Sequence, residues 1–266
     1  MKFEVKHPDK VLFPKDKITK EDLLEYYTLV ASRILPLIKS RPIMMKRYVE
    51  GIDKSAFVQK QVPSYFPKWI DTATVKREGK SSIKMPLINS KDALLYLVNQ
   101  GCITPHIWQS QSEELNCPNR LVFDLDPPKG GFSLAAEGAK FIREVLERDY
   151  KLKSYLMTTG RNGLHLIVTI KPDHPFEAVR EFAKSVGGIL ESERPNEFTI
   201  SPRKPKRVKR VYIEYLRNGY AQTSFAPYAI RATTKAPIAM PIGWDELKKG
   251  RSMERNAPSN LKNLEK

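Results

Sequence analysis

Asp124 and Asp126 stand one residue apart in Leu121-Val122-Phe123-Asp124-Leu125-Asp126, an apolar run that reads as a strand stopped by Pro127-Pro128. Side chains alternate across a strand, so both carboxylates point to one face while Phe123 and Leu125 point to the other. Neighbouring carboxylates repel unless a hard divalent cation such as Mg²⁺ or Mn²⁺, which takes oxygen ligands, neutralises them. The spacing alone is shared by nucleases, phosphatases and glycosyltransferases, and it also fits a solvent-facing pair at a strand end. Glu214 is the one acid in Val211-Tyr212-Ile213-Glu214-Tyr215, a second apolar strand in which an unpaired carboxylate would be expensive to bury. It is either a third ligand of a two-metal site or an edge glutamate paired with Arg210 or Arg217.

The segment Thr158-Thr159-Gly160-Arg161-Asn162-Gly163-Leu164-His165 combines glycines, a hydroxyl and an imidazole, a set suited to a triphosphate. It also reads as an ordinary Asn-Gly hairpin. A P-loop is disfavoured, because no Lys-Ser or Lys-Thr follows the glycines. His106, in Thr104-Pro105-His106-Ile107-Trp108, is a buried structural histidine or a donor to phosphate. Cys102, His106 and Cys117 are too irregularly spaced, and lack an evident fourth ligand, for zinc.

These residues need a scaffold, and the hydrophobic pattern supplies one. Leu23, Leu24, Tyr27, Val30, Ile34, Leu37 and Ile38 recur at helical spacing over 20–39, with Thr19 and Asp22 as a capping box. Residues 42–90 read as short strands and loops, and 91–100 as a short buried helix starting near Ser90. The strand at 121–126 precedes a helix over 133–148, a hairpin over 155–170, a helix over 176–190 and a strand over 211–216. Strand, helix, hairpin, helix, strand is the order of an α+β split βαβ sheet with its helices on one face, leaving the other for chemistry.

At 266 residues the chain is long enough for one large domain: we expect a single catalytic domain over 1–250, with a lobe over 1–90 packed on a core over 91–250, and a polar tail over 251–266. A hydrophobic content of 41% excludes wholesale disorder. No run of eighteen apolar residues and no apolar leader is present, so membrane spanning and export are disfavoured. Two cysteines suit a reducing cytoplasm. A formal charge of +16 attracts polyanions. Ser201-Pro202-Arg203-Lys204-Pro205-Lys206-Arg207-Val208-Lys209-Arg210 concentrates six cations in ten residues, and its prolines hinder a helix, so it reads as an extended basic arm or loop entering a strand.

Phe-Asp-Leu-Asp-Pro at 123–127, the Thr-Thr-Gly-Arg-Asn-Gly-Leu-His turn and Val-Tyr-Ile-Glu-Tyr-Leu-Arg-Asn at 211–218, in this order, resemble the primase-polymerase domain of prokaryotic non-homologous end joining. This is the polymerase module of ligase D, in the archaeo-eukaryotic primase superfamily. The likeness runs from Asp9-Lys10-Val11-Leu12-Phe13-Pro14 through Phe225-Ala226-Pro227-Tyr228-Ala229-Ile230-Arg231 to Trp244-Asp245-Glu246-Leu247. It implies a primase-like core with antiparallel or mixed sheets, and a DNA-dependent polymerase that prefers NTPs to dNTPs, uses two Mn²⁺ or Mg²⁺ ions, and fills gaps during double-strand break repair. Asp124, Asp126 and Glu214 would be the metal ligands. His106, Thr159, His165, Arg217 and Arg231 would contact the incoming nucleotide or its phosphates, and Phe57 would stack on its base. Lys10 and Lys20 would hold the 5′-phosphate of the downstream strand. Implied partners are gapped or broken DNA, Ku and an ATP-dependent ligase, and the implied location is the nucleoid in a prokaryotic cytoplasm.

The chain departs from that family pattern at three points. Glu214 replaces an aspartate, Thr159 stands where serine is common, and Asn162 stands where lysine is frequent, leaving Arg161 to replace the charge. Two other readings compete: a DNA-end binding module whose polymerase activity has faded, motivated by Glu214, and a metal-dependent nuclease, which leaves the nucleotide-binding residues unexplained. No Lys-x-Asp-Gly motif is present, so sealing of strands is not expected from this sequence. The basic charge makes a quantitative expectation: the logarithm of DNA affinity falls linearly with the logarithm of salt, with slope about 0.9 per duplex phosphate neutralised. A salt titration by fluorescence anisotropy measures it, and a flat dependence would contradict electrostatic binding.

Overall fold

A computed structural model describes residues 1–77 and 79–247, so the polar tail expected at 251–266 lies outside the described residues. The chain forms two compact units, one comprising 1–115 and 223–239 and the other 116–222 with the described residues from 240 onward. Residues 91–115 thus group with the N-terminal residues, whereas the sequence reading placed them with the core.

The first unit begins with β1 (Val11–Phe13) and β2 (Ile18–Thr19), which pair antiparallel and lead into α1 (Lys20–Ile38). The capping box at Thr19 forms: the Asp22 N–H donates to the Thr19 hydroxyl, and the Thr19 N–H donates to the Asp22 carboxylate. There follow β3 (Ile43–Arg47), β4 (Phe57–Gln59), β5 (Thr72–Arg77), β6 (Lys80–Pro86), α2 (Lys91–Asn99) and β7 (Cys102–Trp108). Ser90 caps α2 by accepting from the Ala93 N–H. The strand β7 lies in a stretch to which the sequence reading assigned no element, and it forms although Pro105 at its centre is a local signal against a strand. It forms between β3 and a later strand, β13 (Thr223–Phe225), in a sheet ordered β13-β7-β3-β4. Pro105 keeps its acceptor, and its carbonyl takes the Ala226 N–H at 2.9 Å.

The second unit is built on β8 (Arg120–Asp126), α3 (Phe132–Tyr150), β9 (Ser154–Thr158), β10 (Leu164–Thr169), α4 (Phe176–Glu193), β11 (Phe198–Thr199) and β12 (Val211–Glu214). Short β14 (Pro241–Ile242) and α5 (Trp244–Leu247) complete it. Its six-stranded sheet has the order β11-β12-β8-β10-β9-β14. The central β12-β8-β10-β9 part is antiparallel throughout, which is the split βαβ arrangement read from the sequence. The basic segment enters β12 as a loop in which Lys204–Arg207 makes one 3-10 turn, since a proline can sit in the first turn of a helix.

Both helices lie on one sheet face, and their glycines show why. A Cβ on Gly138 of α3 would fall 2.5 Å from the Phe198 ring and 3.2 Å from Leu125 Cδ2, and one on Gly187 of α4 would fall 3.3 Å from Ile213. Leu125 and Ile213 are opposed in register and share a face. The same register puts Asp124 opposite Glu214 and His165, and Asp126 opposite Tyr212, all on the other face. Buried Leu121, Phe123, Leu125, Leu164, Leu166 and Ile213 fill the helix-covered face with apolar bulk.

Asn218, fully buried, locks the chain immediately after Glu214. Its Oδ1 accepts from the Val122 N–H at 2.8 Å, and its Nδ2 donates to the Val122 and Tyr215 carbonyls at 2.8 and 2.9 Å. One side chain thus stands in for a strand neighbour of β8 and fixes the turn Leu216–Asn218. Asn218→Ala leaves the buried Val122 groups unsatisfied, and chemical denaturation should show a loss of about 1–3 kcal/mol.

Candidate functional site

The carboxylates of Asp124, Asp126 and Glu214 converge, with one oxygen from each within 4.8 Å of the others. Three acids from two neighbouring strands thus meet on one sheet face. Asp124 is buried, Glu214 is half-buried and Asp126 opens to solvent at the strand end. Partial desolvation, followed by the charges of Asp124 and Glu214, pushes Asp126 up to about 7. Burial also raises Glu214, against the opposing pull of Arg217. Three oxygen donors whose negative charges hinder one another's ionisation form a donor set that fits a hard divalent cation.

Basic groups border the trio. His165 Nε2 lies 3.3 Å from Asp124 Oδ2, directly across the β8–β10 pair. Arg217 reaches Glu214 Oε2 at 3.3 Å and lies 3.9 Å from Asp124 Oδ2. Glu214 therefore does pair with Arg217, as the plainer sequence reading allowed, and also belongs to the carboxylate cluster. Arg210 instead approaches Glu191 at 3.9 Å. Arg207, which the sequence analysis treated only as part of the basic arm, lies with its guanidinium carbon 3.5 Å from the centroid of the Tyr212 ring and lowers the pKa of both Asp126 and Glu214. The six-cation run was visible in sequence, but which cation meets the acids depends on the turn before β12.

The 159–163 turn borders the same strand end. Gly160 takes the left-handed conformation (φ 70°), whereas Asn162 and Gly163 do not, so this is not the simple Asn-Gly hairpin. The Gly163 N–H donates to the Thr159 hydroxyl at 3.2 Å, and a Cβ on Gly163 would lie 2.8 Å from the Leu125 carbonyl. Glycine there lets the turn lie against β8 beside Asp126.

Within the first unit, two of the expected nucleotide contacts meet around Phe225, which sequence reasoning did not single out. His106 is edge-on to the Phe225 ring with centroids 6.5 Å apart, and the Arg231 guanidinium lies 3.9 Å from the ring centroid. The Thr104 hydroxyl donates to the Ile230 carbonyl, and the Ile230 N–H donates to the Tyr27 hydroxyl, fixing the chain that presents Arg231. Phe57 is an exposed aromatic on β4, with the Arg47 guanidinium 5.0 Å from its centroid. Lys10 and Lys20 line one cavity of about 490 Å³. Lys10 pairs with Glu50 at 2.9 Å, and Lys20, which is buried, is held below the usual lysine range by burial and by Lys10.

A split βαβ sheet with helices on one face and a carboxylate trio on the other defines a primase-polymerase-type palm. The sequence model of the LigD primase-polymerase domain matches residues 19–266, and the chain belongs to that family. It is 34% identical over 249 residues to the multifunctional non-homologous end joining DNA repair protein LigD of Mycobacterium tuberculosis, covering 90% of this chain and 32% of that protein. It is 30% identical over 244 residues to LigD of Mycolicibacterium smegmatis, covering 91% and 32%. The chain thus spans about a third of the length of these relatives. The solved polymerase domain of Mycobacterium tuberculosis ligase D in complex with DNA matches with a TM-score of 0.90 and 31% identity, over 99% of this chain and 94% of that one. Among the described residues no helix is long and apolar enough to cross a membrane.

The trio has a measurable pH signature without metal. A carboxyl raised to about 7 in the folded state, against an ordinary 3.8, favours folding while protonated and withdraws that support as pH rises through 7. Thermal melts between pH 5 and 8 in EDTA should therefore show stability declining with pH, and Asp126→Asn should flatten the decline. Mn²⁺ should raise the melting temperature more at pH 8 than at pH 5.5, with a gain of about 2.7 kcal/mol at a hundredfold excess over Kd.

Proposed function

We propose that this chain is a template-directed nucleotidyltransferase that fills gaps and extends 3′ ends of broken DNA, preferring NTPs to dNTPs. The observation that carries the reading is the convergence of Asp124, Asp126 and Glu214 within 4.8 Å on the face opposite the helices, bordered by His165 and Arg217. Membership of the LigD primase-polymerase family and a match to a relative solved with DNA support it.

Asp124, Asp126 and Glu214 would hold two Mn²⁺ or Mg²⁺ ions, whose chemistry is to lower the pKa of a 3′-hydroxyl and to neutralise a triphosphate. The protein's own contribution is positioning and charge. His165 orients Asp124 and offers an imidazole to the phosphates, and Arg217 holds Glu214 while keeping guanidinium N–H groups for the same anion. The Thr159 hydroxyl and the amides of its turn present neutral donors. In the first unit, His106 and Arg231 are assigned to the nucleotide and Phe57 to its base, while Lys10 and Lys20 are assigned to the 5′-phosphate of the downstream strand. Ku and an ATP-dependent ligase are the proposed working partners, and the nucleoid in a prokaryotic cytoplasm is the proposed location.

A gapped duplex with NTPs and Mn²⁺ tests the reading in a primer-extension assay. Wild-type protein should extend the primer, and Asp124→Ala with Asp126→Ala should reduce the rate by roughly 10³-fold or more, a barrier increase of about 4 kcal/mol. Extension that survives the double substitution would remove the assignment. Wild-type protein that binds 5′-phosphorylated ends but adds nothing, with Glu214→Asp restoring addition, would make the chain a DNA-end binding module instead.

A further inference from the structure

The cavity that holds Lys10 and Lys20 is larger than its proposed ligand. Its volume of about 490 Å³ far exceeds a phosphate group of five heavy atoms, and Lys6, Arg47, Tyr65 and Tyr96 also line it. Cations provide one part of the lining and an aromatic ring another. That pairing matches a nucleotide rather than an isolated anion.

Tyr65 differs from an ordinary surface tyrosine in how it is held. Tyr65 is 59% exposed, yet its hydroxyl accepts from Arg47 Nη1 at 2.7 Å. Arg47 is itself buried, donating to the Gln100 carbonyl at 2.6 Å and to the Gln59 side chain at 2.7 Å. Phe66 meets the Tyr65 ring at a steep angle, with centroids 5.4 Å apart. An exposed aromatic side chain anchored at its tip loses little conformational freedom when something stacks on it. On the cationic part of the cavity lining, the buried Lys20 ammonium donates to the Lys6 carbonyl at 2.5 Å. Burial and the nearby Lys10 charge disfavour its protonated form, and the charge of a bound anion counters them.

We propose that this cavity takes the whole 5′-terminal nucleotide of the downstream strand, with its phosphate on Lys6, Lys10 and Lys20 and the uncovered face of its base stacked on Tyr65. At the edge of a gap the terminal base has one face without a stacking neighbour, and Tyr65 covers it. Arg47 is the positioning residue that holds the ring. The assignment rests on the 5′-phosphate reading of Lys10 and Lys20 given above.

The test measures equilibrium binding of the full chain to gapped duplexes whose downstream strand carries a 5′-phosphate or a 5′-hydroxyl, and a terminal base or an abasic sugar. Tyr65→Ala should weaken binding to the base-bearing 5′-phosphorylated end by about 5- to 150-fold, the range for one base–aromatic stack. It should change binding to the abasic end by less than about twofold, within the scatter of exposed substitutions. Tyr65→Phe, which keeps the ring, should recover most of the loss. Equal losses on base-bearing and abasic ends, or no loss on either, would overturn the stacking assignment. Wild-type protein that does not distinguish 5′-phosphate from 5′-hydroxyl would overturn the phosphate reading beneath it, a separate result because it involves no substitution at Tyr65. A melting curve of Tyr65→Ala matching that of the wild type assigns any binding loss to the ring.

Discussion

Mutual repulsion among three carboxylates is the constraint on which the second unit depends. Asp124, Asp126 and Glu214 are held within 4.8 Å by strand register, and the protein accepts the electrostatic penalty that raises Asp126 to about 7. Such an arrangement persists only where the rest of the sheet is stable enough to impose it. That stability comes from the opposite face, where α3 and α4 approach closely through Gly138 and Gly187 over Leu125, Phe198 and Ile213. One face is packed so that the other can carry charge.

Around the trio, the protein supplies compensation in graded form. Arg217 pairs with Glu214, His165 faces Asp124, and Arg207 acts from above the Tyr212 ring. Each offsets part of the repulsion, and the raised Asp126 shows that the balance remains unfavourable without a cation. Asn218 gives this arrangement its rigidity, because it bonds to both main-chain polar groups of Val122 and so ties the segment bearing Arg217 to the strand bearing Asp124. The first unit shows the same principle in another chemistry. There Arg47 is buried to hold two exposed aromatic rings, Phe57 and Tyr65, in fixed positions.

Much of this was legible in the sequence. The alternation in Phe123-Asp124-Leu125-Asp126 put both acids on one face, and the 3.6-residue period from 20 to 39 with Thr19 and Asp22 marked a helix and its cap. The stretch 102–108 carried no element assignment in the sequence; its central Pro105 is a local signal against strands, which pairing with β3 and β13 overrides. The turn at 159–163 was half legible: its glycines announced a tight connection, but the left-handed residue is Gly160, and Gly163 is required by proximity to Leu125 rather than by its own backbone angles.

By itself, then, the sequence determined what is periodic or adjacent: the order of strands and helices, the common face of Asp124 and Asp126, the basic run before β12 and the family. Only the tertiary structure decided how residues far apart in the chain meet. It placed Glu214 opposite Asp124, stacked Arg231 on Phe225, joined Arg47 to Tyr65 and gave Asn218 its bonds to Val122. The reason is physical: side-chain alternation and helical period act over a few residues and are written in local spacing. Strand register and buried hydrogen bonds are settled by how whole apolar faces fit together.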